Sequence, residues 1–173
     1  MNIRIAGKVG ESIVDGPGFR YTIFTQGCPH NCNGCHNPQT HDFNGGHIED
    51  TDEILCEILR DTLLDGVTYS GGEPFCQCEP LYDLSVKIHE KSKLNIISYT
   101  GFTFEYLMEN ADDENMYIKL LSQIDYLVDG KFELDKRSLE LRFRGSSNQR
   151  FIDVKKSFEL GKTVVIDIDK NDY

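Results

Sequence analysis

Apolar and β-branched residues gather in six short runs along the chain, at 19–25, 66–70, 94–99, 124–128, 150–154 and 163–168, and each reads as a strand. Between the runs the spacing shifts to the helical period. Residues 50–64 place Ile54, Leu55, Ile58, Leu59 and Leu63 on one face, with Asp50 and Glu53 spaced as a capping pair. Pro80 suits the first turn of a helix over 80–91 that points Leu81, Leu84 and Ile88 one way. A third helical zone covers 102–123, with a break near 110–113. Strands that alternate with helices predict βαβ units and a mainly parallel sheet, because parallel neighbours need a crossover connection. The class is α/β, and six strands fall short of a closed eightfold barrel, which uses about 250 residues. An incomplete barrel or an open sheet follows, with ligands beyond the C-terminal strand ends in both versions.

No repeat, low-complexity tract or Pro/Ser-rich linker interrupts the chain, so residues 1–173 read as one domain. The formal charge of −11 would repel a phosphate backbone, and nucleic acid is not expected as a partner. No apolar stretch approaches the roughly 20 residues of a membrane helix, and the first residues lack the apolar core of an export signal. A cytoplasmic, reducing setting is expected. Six cysteines could form a disulfide framework, but in that setting metal binding or free thiols fit better.

Three of the six stand together. Cys28, Cys32 and Cys35 have the spacing C-x3-C-x2-C on a loop directly after the first of these strands, on the expected ligand face. Such spacing lets one loop wrap three corners of an iron–sulfur cube, whose fourth iron would stay open. Cys3His is also a common structural zinc set, with His30 or His36 as the fourth ligand, and the triplet alone leaves both readings open. The run Gly71-Gly72-Glu73-Pro74 closes the strand at 66–70. Adjacent glycines let backbone approach a ligand, and Glu73 can accept hydrogen bonds from a cationic amine, although a plain strand-end turn has the same composition.

Taken together, the triplet and Gly71-Gly72-Glu73-Pro74 resemble the radical S-adenosylmethionine superfamily, whose fold is an incomplete (βα)6 barrel of mainly parallel strands. The resemblance implies that Cys28, Cys32 and Cys35 hold one [4Fe–4S] cluster, that the open iron binds the amino-acid end of S-adenosylmethionine, and that Gly71, Gly72 and Glu73 contact its ammonium group. Gly34, Cys35 and His36 would line the same cofactor. Gly34 stands where the superfamily often has an aromatic residue, so contact to the adenine there would come from backbone.

Further segments resemble the glycyl radical activating family that serves anaerobic ribonucleoside-triphosphate reductase: Val14-Asp15-Gly16-Pro17-Gly18-Phe19-Arg20, Tyr99-Thr100-Gly101-Phe102, Val128-Asp129-Gly130-Lys131-Phe132 and Gly145-Ser146-Ser147-Asn148-Gln149-Arg150. That resemblance implies reductive cleavage of the cofactor to a 5′-deoxyadenosyl radical, hydrogen abstraction from a glycine of the large reductase subunit, and an electron donor such as a flavodoxin. It also adds Asp129 to the cofactor contacts, where the residues alone allow a strand-end turn. The net negative charge leads us to expect a positive docking surface on the partner. A radical enzyme acting on a small molecule, of the 7-carboxy-7-deazaguanine synthase type, and a zinc-stabilised binding module are the alternatives.

The remaining candidates read as structure. Cys56 falls beside Leu55 and is expected as a small buried hydrophobe. Cys76 and Cys78 read as free thiols, His41 and His47 as parts of a solvated loop, and Asp112-Asp113-Glu114 as a charged helix start. The Ser146–Gln149 cluster is too polar for a core.

Overall fold

Side-chain alternation along the strands separates a helix-covered face from a concave one. The computed structural model describes residues 1–170. Its strands are β1 (Asn2–Ser12), β2 (Arg20–Thr25), β3 (His47–Asp50), β4 (Gly66–Gly71), β5 (Asn95–Tyr99), β6 (Tyr126–Asp129) and β7 (Arg150–Asp153), in the order β3-β1-β2-β4-β5-β6-β7. The pairs β2–β4, β4–β5 and β5–β6 are parallel; β1 runs antiparallel to both β2 and β3, and β7 antiparallel to β6. Five strands therefore share one direction, and the sheet is mainly parallel.

Five helices, α1 (Thr51–Arg60), α2 (Cys78–Lys91), α3 (Phe104–Glu109), α4 (Tyr117–Leu121) and α5 (Val154–Leu160), cover one face. There Ile23, Val67, Tyr69, Ile96 and Leu127 pack against Ile54, Ile58, Leu81, Leu84, Leu107 and Leu120 in one large core. Hydroxyls at that interface are satisfied across it: Tyr69 and Ser85 share a bond of 2.8 Å, and Tyr21 bonds Glu57. The opposite face carries a smaller apolar cluster, Ile97, Val128, Phe151 and Ile168. Beside it lies the buried Arg20, whose guanidinium bonds Thr68 Oγ1 (2.7 Å), Val67 O (2.6 Å) and Asn95 Oδ1 (2.9 Å). Desolvation lowers its pKa to about 10, which leaves it charged at neutral pH.

The expected α/β class, the helix cap at Asp50 and the break in the third helical zone are all present, with Asp50 accepting from Asp52 N at 2.7 Å. Several expectations need correction. Seven strands form, not six. The run at 163–168 contributes one bridge, Ile152 to Val165, while β1 and β3 add strands that the hydrophobic runs did not single out. Helix α1 stops at Arg60, which leaves Leu63 exposed beyond it; within it Leu59 is exposed, as is Cys56, which lies about 200° around the helix from Ile54. The acidic run 112–114 precedes α4 in a turn, where Asp112 accepts from the backbone of Glu114 and Asn115. Among the described residues no helix is long and apolar enough to cross a membrane.

Candidate active site

Every loop that leaves the C-terminal end of a parallel strand in this sheet meets at one cavity of about 630 Å³. After β2 come Cys28, His30, Cys32, Cys35 and His36; after β4, Gly71 and Gly72; after β5, Thr100 and Gly101; after β6, Gly130 and Phe132. Two banks flank these loops. The end of the β1–β2 hairpin supplies Val14 and Asp15, and the segment before β7 supplies Phe143, Arg144 and Gln149.

The cysteine loop is held from both sides. Gly27 N bonds Thr40 O at 2.8 Å and Cys28 N bonds His41 O at 3.2 Å, which turns the chain back beneath the loop. Asn37 N donates to the Cys35 sulfur at 3.4 Å, and the Phe132 ring lies 5.0 Å from that of His36. Burial pushes the Cys28 and Cys32 thiols up, so metal uptake, which needs thiolates, must release protons here. All three sulfurs face the cavity at half-buried positions. Among the described residues, no three His, Cys, Asp or Glu side chains converge as they would around a single ion.

The remaining sequence candidates divide. Gly71 and Gly72 form cavity wall, whereas the Glu73 carboxylate stands behind it, fully buried. It accepts from Phe75 N (3.0 Å), Gly101 N (2.8 Å), Thr100 Oγ1 (3.1 Å) and His30 Nε2 (2.7 Å). Gly34 packs its backbone against Leu134 and Phe132 at the edge of the loop. Asp129 points to the helical face, as strand alternation requires with Val128 facing inward. There it accepts from Phe104 N at 2.8 Å at the start of α3 and pairs with Arg150, and Gly130 lines the cavity in its place.

Three residues were placed differently by sequence reasoning. His30 entered only as a possible metal ligand, yet its imidazole is committed to Glu73. His41 was expected in solvent; it lines the cavity with Nε2 buried and without a partner among the described residues. Ser146 is fully buried, accepting from Glu133 N, while Gln149 clamps Gly145 N (2.9 Å) and Gly130 O (3.0 Å). His47 sits exposed in β3 beside Glu49, and Cys78 is buried with Sγ against Phe75 O.

The Arg150 network yields a pH prediction. Arg150 also bonds both oxygens of Glu105 (3.1 and 2.7 Å) and holds its carboxyl at about 2, well below the usual 4.5. A lowered folded-state pKa stabilises the fold above the unfolded value, and that contribution is lost as pH falls from about 4.5 to about 2. Glu105→Gln should therefore lie below wild type in denaturant midpoint at pH 7, with the gap closing across that window; a gap that is constant with pH would contradict the assignment.

Residues 14–152 match the family described as a 4Fe-4S single cluster domain. With three thiols on the loop after β2 and the glycine turn after β4 opening on the same cavity, that match defines a single-cluster iron–sulfur enzyme of the radical S-adenosylmethionine class. The anaerobic ribonucleoside-triphosphate reductase-activating protein of Vibrio cholerae is 37% identical over 144 residues, covering 79% of this chain and 89% of that protein. Its namesake from Escherichia coli K12 is 35% identical, covering 79% and 90%. The chain belongs to the family of anaerobic ribonucleoside-triphosphate reductase-activating proteins. Among solved structures, QueE from Escherichia coli is similar over 60% of this chain and 54% of that one, at 20% identity and a TM-score of 0.47.

Proposed function

We propose that the chain activates an anaerobic ribonucleoside-triphosphate reductase by generating a glycyl radical on its large subunit. The observation that carries this reading is the convergence of Cys28, Cys32, Cys35, Gly71 and Gly72 on one open cavity at the strand ends. The donor set suits both groups that the chemistry requires. Three soft thiols on one loop match a [4Fe–4S] cluster with one open iron. The cavity has the size of a small-molecule site, and two buried nitrogens on its wall, His41 Nε2 and Arg144 Nε, have no partner among the described residues, as expected of groups that meet a polar ligand.

When bound, the cluster and S-adenosylmethionine supply a one-electron cleavage of a carbon–sulfur bond to methionine and a 5′-deoxyadenosyl radical, and a donor such as a flavodoxin supplies the electron. The chain's own residues bind and orient. Cys28, Cys32 and Cys35 would hold the cluster, while Gly71 and Gly72 bring backbone against the cofactor's amino end. Gly34, Cys35 and His36 border it, and Glu73 and Asp129 act on it through the turns they fix. Val14, Phe24, Phe132 and Phe143 give the cavity apolar wall that keeps water from the reacting centre. The cavity lies between the two banks, and a glycine α-carbon of the partner would enter there.

Anaerobic reconstitution, reduction and mixing with the large reductase subunit tests the reading by electron paramagnetic resonance. A glycyl radical doublet that requires both the cofactor and this chain is the expected result. Cofactor cleavage with no radical on the partner would overturn it in favour of a small-molecule enzyme.

A further inference from the structure

Glu73 gathers donors from three segments that are far apart in sequence. Phe75 N belongs to its own turn after β4, Gly101 N and Thr100 Oγ1 to the turn after β5, and His30 Nε2 to the cysteine loop after β2. The carboxylate is fully buried, and the His30 side chain is 6% exposed. Glu73 Oε2 also receives Gly101 N and Thr100 Oγ1, so His30 Nε2 is the third group gathered on that one oxygen. Away from water, a hydrogen bond between two buried groups has no solvent competitor and holds its geometry. The ring has little freedom besides: Phe102 meets it edge-on at 4.5 Å, and at Gly101 a Cβ would overlap it.

His30 lies between Cys28 and Cys32, and Glu73 follows directly on Gly71 and Gly72. Glu73 N already bonds Gly27 O at 2.8 Å where the cysteine loop begins, and the imidazole makes a second tie, from within the loop, to the same glycine turn. We infer that His30 is a positioning residue: through Glu73 it fixes the spacing between the cysteine loop and the cofactor's amino end. This rests on the function proposed above. It gives His30 a role in setting geometry and none as a metal ligand.

Three variants test it. His30→Gln keeps an N–H donor at similar reach, His30→Asn is too short to reach Glu73, and His30→Leu removes the donor. In the metal-free protein, hydrogen exchange at 29–36 and 100–102 should rise at least tenfold in His30→Asn and His30→Leu, while His30→Gln stays near wild type. After reconstitution, all three should hold wild-type iron, because the thiols are intact. The S-adenosylmethionine concentration that shifts the reduced cluster's paramagnetic resonance signal should rise about tenfold or more in the Asn and Leu variants and be rescued by Gln, in line with losing one buried hydrogen bond. If His30→Leu does not fold, the Asn and Gln pair carries the comparison. Wild-type exchange and wild-type cofactor titration in His30→Asn would overturn the positioning role alone. A wild-type chain that takes up no iron or shows no cofactor-induced shift would overturn the underlying reading instead.

Discussion

Replacing any one of Cys28, Cys32 or Cys35 with alanine should abolish S-adenosylmethionine cleavage by the reconstituted protein. The three sulfurs reach the cavity from a single loop, and Cys35 already receives the Asn37 N–H, so the loop is shaped around them. With one thiol removed, a cluster would be held by two thiolates and would be labile. Iron per chain should fall together with visible absorbance, and methionine and 5′-deoxyadenosine should drop below detection by chromatography. Cys56→Ala is the matched control, since that thiol is exposed on α1 and far in sequence from the loop. Wild-type cleavage in any one of the three site variants would remove the assigned ligand set.

The second large effect belongs to Gly71. Its φ is +91°, in the region that L side chains rarely adopt, and a Cβ built there would lie 2.7 Å from the Phe24 backbone and from Thr25 N. Neither neighbour can yield, because both belong to β2 at the middle of the sheet. Gly71→Ala combines the left-handed penalty with a backbone overlap and should cost about 3 kcal/mol. For a chain of this length that corresponds to a fall in melting midpoint of about 10 °C. Gly10→Ala in β1, where a Cβ meets nothing within 4 Å, should remain within about 0.5 kcal/mol of wild type. Equal midpoints for the two variants would show that the β4 turn is not under this constraint.

Much of the site was legible because its chemistry sits in short, contiguous motifs. The triplet, the glycine turn and the turns after β5 and β6 all fall at strand ends, and a parallel sheet brings strand ends together whatever the sequence between them. What escaped depended on partners distant along the chain. The run at 163–168 has strand-forming residues, but only Val165 finds a bridge, so propensity had no edge to act on. β1 was obscured by Gly7 and Gly10 within its alternation, and it forms because β2 and β3 lie ready on both sides. Cys56 was judged by its neighbour Leu55, when the angle around the helix decides burial. His41 looked like loop, yet the bonds from Gly27 and Cys28 fold 40–41 back under the cysteines. Asp129 has the right position for a cofactor contact and the wrong face of the strand.

The two banks of the cavity differ in how they are anchored. One is the end of a sheet hairpin, braced from beneath by Arg20, which bonds Pro17 O as well as β4 and Asn95. The other, 131–149, has no strand of its own among the described residues; a bridge between Arg137 and Ser146, the side-chain amides of Asn148 and Gln149 on Lys131 O and Gly130 O, and the pairing of Arg144 with Asp169 hold it. The buried Ser146 hydroxyl, accepting from Glu133 N, fastens this bank from within, and the Tyr99 hydroxyl on Phe143 O ties it to its surroundings. The two sides of the cavity are thus fastened by different means, one as the continuation of a sheet strand and the other by a single bridge and a set of side-chain bonds.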